Sequence, residues 1–145
     1  MSEASAGHDT DGPDTMMTER LDRWLQEFGA AWQNLNADQI AGLFEAEGAF
    51  FETPFGPPLR GRENILRHWH DAVQKQSDVV FMYRTLAVEG DLGVARWAAQ
   101  LTLIETGTRI EFDGILECRL DEGGDARLLR MWWHDREAPK RNSAA

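Results

Sequence analysis

Apolar residues recur at three- and four-residue spacing at Leu21, Trp24, Leu25, Phe28, Ala31, Trp32 and Leu35, which predicts one amphipathic helix from about Thr18 to Asn34. Asn36 followed three residues later by Gln39 resembles a capping box, and Ile40, Leu43 and Phe44 supply the apolar face of a short second helix. A strand through Ala49–Glu52 comes next and is cut by Pro54, which has no N–H for a ladder. From Arg62 to about Gln76 the pattern is helical again, with Ile65, Leu66, Trp69 and Val73 on one side. After that the period changes to two. VVFMYRTLAV, LGVARWAAQLTLI, TRIEFDGILECRL and ARLLRMWWHDRE are four strand candidates, separated by the turns EGD, ETG and DEGGD. The order ααβαββββ predicts an α+β fold, three helices packed on one face of a strongly curved, mainly antiparallel sheet.

The ends break this patterning. MSEASAGHDTDGPDTMM has few large apolar groups and cannot offset the entropy of ordering, so residues 1–17 read as a disordered tail. Residues 137–145 read the same way, leaving one domain over 18–136, the ordinary size for a chain of 145 residues. No apolar run is long enough to span a bilayer, and no basic region followed by an apolar stretch opens the chain, so neither a membrane span nor a secretory signal is expected. The single Cys118 excludes an internal disulfide and makes a reducing cytoplasm the expected location. A net charge of −10 with no basic stripe among the aromatics argues against a nucleic-acid partner.

Four stretches, LFEAEGAFFETPFGPPLRGRENI, GVARWAAQLTL, FDGILECRLDEGG and RMWWHD, resemble the nuclear transport factor 2-like superfamily and its SnoaL-like branch, over residues of about 18–136. The resemblance implies a cone whose mouth admits a small apolar molecule, and protomers that pair through the outer sheet face. Members include steroid isomerases, epoxide hydrolases, polyketide cyclases, dehydratases, and proteins that only bind or scaffold. Steroid isomerases place an aspartate just before the loop proline; here Thr53 holds that place, with Glu52 one residue earlier. Their oxyanion hole uses a first-helix tyrosine and a late-strand aspartate, whereas the only tyrosine here is Tyr83 and the late-strand position is Leu116. The hydrolase Arg-x-Asp pair matches at Arg96 but has Ala98 two residues on, and its tyrosine and asparagine before the loop become Phe51 and Thr53.

Elimination narrows the chemistry. Serines fall in tails or a link, without a nucleophile elbow; lysine occurs only at Lys75 and Lys140; Cys118 reads as a packed small hydrophobe. His68 and His70 in HWHD are two apart on a helix, about 200° round its axis, so they cannot share a metal ion and read as solvated. No metal and no cofactor is implied, since the glycine-rich stretches are hairpin turns with no following helix. Acid–base work inside an apolar cavity remains, where desolvation raises carboxyl pKa values towards neutrality. Glu52, Asp113, His134 and Asp135 are the candidate acids and bases, with Arg96 as their electrostatic partner. Phe51, Thr53, Trp69, Tyr83, Trp97, Leu116 and Trp133 are the candidate lining.

Strand alternation turns Asp113 outward unless Gly114 hosts a bulge. It puts Trp132 and His134 on one face of the last strand and Trp133 and Asp135 on the other, so an outer face carrying a tryptophan is expected to pack on a second subunit. For Glu52 both orientations stay open: inward it is the best base in the chain, outward it pairs with Arg60 or Arg62. Two functions follow, a cofactor-independent isomerase, cyclase, dehydratase or hydrolase, and a non-catalytic ligand-binding domain. A purely structural dimer module would instead fill the cone with its own side chains.

Overall fold

The apolar stripe that starts at Leu21 extends one turn further back through Met17, which is buried with it. Helix α1 therefore spans Pro13–Gln33, beginning before the expected Thr18, with proline at the helical position that needs no N–H partner. This is a computed structural model that describes residues 13–139; the remainder of both expected tails lies outside the described residues. Leu35 ends the helix in a left-handed conformation at φ 56°. Asn36 then caps α2, Ala37–Ala41, its side chain accepting the Gln39 N–H.

Phe44 was expected on that helix and instead opens strand β1, Phe44–Phe51. A two-residue strand β2, Leu59–Arg60, folds back on it antiparallel. Helix α3, Arg62–Val73, is tied to β1 through the Arg62 guanidinium, which donates twice to the Phe44 carbonyl, at 2.6 and 3.1 Å. Strands β3 (Gln76–Glu89), β4 (Leu92–Leu103), β5 (Thr108–Leu120) and β6 (Ala126–Glu137) then form an antiparallel meander. The six strands make one sheet in the order β2-β1-β6-β5-β4-β3, with β1 and β6 parallel. Architecture and class are the expected α+β, with one additional short strand.

Large rings from both layers meet in the interior. Trp24, Phe28 and Trp32 of α1 pack with Trp69 of α3 and with Phe81 and Trp97 of the sheet. Trp97 is stacked near-parallel with Phe81 and Phe112 and meets Trp133 edge-on. Burying such side chains contributes about 2–3 kcal/mol each, the main favourable term. The outer sheet face leaves apolar groups in water: Met82 is 58% and Trp132 40% exposed, with Val80 and Ile115 beside them. Among the described residues no helix is long and apolar enough to cross a membrane.

Candidate functional site

Burial at the end of β1 decides where Glu52 goes. Phe50 is buried against α3, with its ring 6.0 Å from Trp69 and 5.6 Å from His68. Phe51 turns to the opposite face, where the Arg130 guanidinium lies 4.0 Å over its ring. Glu52 follows on the side of Phe50 and meets α3, placing its Oε2 3.1 Å from Nε2 of His68. His68 had read as solvated; it flanks the buried stripe of Ile65, Trp69 and Val73, and its side chain is only 25% exposed. Glu52 is 47% exposed, so the pair contributes no more than about 1 kcal/mol to stability. Its interest is geometric: a carboxylate with one oxygen held by imidazole and the other free.

Beyond the Phe51–Arg130 pairing β1 leaves the sheet, and the second half of β6 is paired only with β5. The loop with Pro54, Pro57 and Pro58 drops alongside that free edge, folded by a Phe55 N–H bond to Thr53 Oγ1. Between them lies a groove of about 500 Å³ lined by Glu52, Thr53, Pro54, Phe55, Gly114, Ile115, Met131, Trp132, Trp133 and His134. Phe55 is 95% exposed at its mouth. Glu52, Thr53, Trp133 and His134, all sequence candidates, are thus brought together. His68, Phe55 and Met131 were not foreseen.

The other candidates stand elsewhere. Arg96 and Asp113 close on each other in a two-bond pair on the outer face, at 3.1 and 2.6 Å. Those hydrogen bonds hold the Asp113 carboxyl below its usual range and raise the Arg96 guanidinium. Register runs without a break through Gly114, so no bulge turns Asp113 inward. His134 faces Asp113 across β5 and β6, and it also borders an outer depression of about 480 Å³ with Val80, Met82, Gln100, Glu111 and Arg136. Asp135 accepts the Trp133 indole N–H at 3.3 Å. Tyr83 donates to the Asp22 carboxylate on α1 at 2.5 Å; burial first, then that bond, pushes its pKa up to about 12. Trp69, Trp97 and Leu116 are buried in the core and outside the groove lining, and Trp97 borders a separate depression with Tyr83 and Arg96. Among the described residues no three His, Cys, Asp or Glu side chains are grouped to hold a metal ion.

The sequence profile described as SnoaL-like domain matches residues 25–129. Among curated proteins no significant match was found. Among solved structures, the epoxide hydrolase/cyclase-like enzyme SalBIII, described for pyran ring formation in the polyether salinomycin, superimposes with a TM-score of 0.69 at 16% identity, over 83% of this chain and 92% of that one. A hypothetical protein of ketosteroid isomerase-like fold from Catenulispora acidiphila DSM 44928, in complex with trimethylamine, superimposes with a TM-score of 0.66 at 17% identity, over 75% and 83%. These are likenesses of fold. With its profile match running from the first helix into the last strand of a curved α+β sheet, the chain belongs to the SnoaL-like family of the nuclear transport factor 2-like superfamily.

Proposed function

We propose that this protein is a cytoplasmic homodimer that binds a small, largely apolar molecule in the groove between the proline loop and β6, and carries out cofactor-independent acid–base chemistry there. The observation that carries the reading is the Glu52–His68 pair at the groove rim. One Glu52 oxygen is anchored by His68, so the other is free to take a proton from a bound molecule, and imidazole is the side chain suited to pass protons near neutral pH. Thr53, Phe55, Met131 and Trp133 supply the mixed apolar wall. The dimer reading is supported by Met82 and Val80, which leave apolar surface exposed on the outer sheet face away from the groove. SalBIII, an epoxide hydrolase/cyclase-like enzyme on the same fold, is compatible with proton-transfer chemistry in this setting.

The test is a generic base probe. 5-Nitrobenzisoxazole loses its C3 proton to a base while the N–O bond breaks and its electron pair goes to the phenolate oxygen, giving a coloured cyanophenolate. The protein should accelerate this above free acetate and imidazole, and Glu52→Gln should lower the rate at least about 100-fold, the ordinary contribution of a general base. An equal rate in Glu52→Gln removes Glu52 as the base. A second reading, ligand binding without catalysis, is favoured by the groove's ionisable side chains, Glu52 and His134, being exposed rather than buried. It expects apolar probes to bind while the wild type shows no rate above free acetate and imidazole.

A further inference from the structure

Among the described residues, three buried side-chain nitrogens have no hydrogen-bond partner: Arg130 Nε, Trp69 Nε1 and Trp97 Nε1. Arg130 Nε lies 3.3 Å from Glu117 Oε1, so a charge compensates it. The two indoles have nothing comparable, with Trp69 5% and Trp97 2% exposed. A buried N–H without an acceptor bears its full desolvation cost, and natural interiors seldom leave one. This interior satisfies its other large indoles: Trp24 donates to the Leu43 carbonyl at 2.8 Å and Trp32 to Gln76 at 2.9 Å. A ring face accepts an N–H only weakly. The rings stacked with Trp97, Phe81 and Phe112, lie within 22° of parallel to it, so its in-plane N–H does not aim at their faces.

Both donors stand one ring behind the groove. Trp133 lines the groove and meets Trp97 edge-on at 5.9 Å. Glu52 lines it too and holds His68, which is 5.9 Å from Trp69. Trp32 links the two indoles, 5.3 Å from Trp69 and 6.2 Å from Trp97.

Resting on the ligand role proposed for the groove, we propose that Trp69 and Trp97 are its polar recognition elements, donating hydrogen bonds to a neutral oxygen acceptor, a carbonyl or ether, on an otherwise apolar ligand. Trp133, the groove-lining ring against Trp97, moves aside to admit that oxygen while His68 keeps its hold on Glu52. A carboxylate ligand would be repelled by Glu52 in the groove lining, and a hydrocarbon would leave both N–H groups unpaired. An ammonium group has no lone pair to offer them.

The experiment compares two probes of the same shape, 2-adamantanone and 2-methyleneadamantane, by following the indole N–H signals of the six tryptophans by NMR. Trp69→Phe and Trp97→Phe assign their two signals. The ketone should shift those two downfield and bind at least about tenfold more tightly than the alkene, the ratio expected from two net hydrogen bonds. Either Phe variant should reduce that preference, the ketone losing more affinity than the alkene. The wild-type comparison stands even where a variant folds poorly. If both probes shift Thr53 and Met131 alike and leave the two indoles unmoved, the inference falls while the groove reading survives. If neither probe shifts the groove signals, both fall.

Discussion

Gly114→Ala tests the close approach of β5 and β6 beside the groove. A methyl group at this position would lie 1.9 Å from the Trp132 carbonyl oxygen and 2.9 Å from the Trp133 Cα, both backbone atoms of the neighbouring strand. Carbon and oxygen normally approach no closer than about 3.3 Å, so β5 and β6 would have to part by more than 1 Å, on the order of a third of a strand spacing. Gly114 is paired on both sides, to Trp97 and to Trp133, so neither strand can move without straining a ladder. Overpacking of this kind costs about 1–3 kcal/mol, and each ladder hydrogen bond disrupted adds about 1. We expect about 3–5 kcal/mol, a large part of the stability of an ordinary domain. Gly90→Ala is the control: its φ is +61° but nothing lies within 4 Å, so only left-handed strain applies, about 1–2 kcal/mol. Urea unfolding followed by tryptophan fluorescence reads both, and with a slope of about 1–3 kcal/mol/M the Gly114 variant should lose more than about 1 M in midpoint. A Gly114→Ala midpoint no lower than that of Gly90→Ala would refute the close strand approach at this point.

Tyr83 is the only tyrosine, so its phenolate absorbance titrates alone. Its pKa is raised from 10.0 to about 12, first by burial and then by the bond to Asp22. A raised pKa stabilises the fold below pH 10 and loses that contribution as pH climbs to about 12. With solvent screening the contribution is about 1 kcal/mol. Asp22→Asn should therefore move the titration towards lower pH, and an unmoved midpoint would contradict the Tyr83–Asp22 contact. Cys118 is fully buried and burial pushes its thiol pKa up, so a disulfide reagent should react only as fast as the protein opens. Immediate stoichiometric labelling of folded protein would place it outside the core.

The four long strands were readable from sequence because alternation at period two is local and each hairpin turn is short. β1 was only half read: Leu43 and Phe44 form a short apolar run that suits a helix or a buried strand equally. Its parallel pairing with β6, Phe50 beside Leu129, joins residues far apart in sequence. β2 carries two residues after two prolines and has no period at all. The outward turn of Asp113 followed from alternation alone. The orientation of Glu52 did not, because alternation allows either face and the choice rests on Phe50 being buried under α3. His68 was missed for the same reason. Its neighbour Trp69 marked the buried stripe, but only the docking of α3 beside β1 brings its imidazole to the carboxylate.

The proposed chemistry turns on the Glu52–His68 pair, and the ring nitrogens of His68 report on it directly. Long-range proton–nitrogen NMR distinguishes which nitrogen carries the proton in each of the four histidines, with His68→Asn assigning the signal. In its neutral form His68 should hold its proton on Nε2, donated to Glu52, and Glu52→Ala should abolish that preference. The same tautomer ratio in wild type and Glu52→Ala would contradict it.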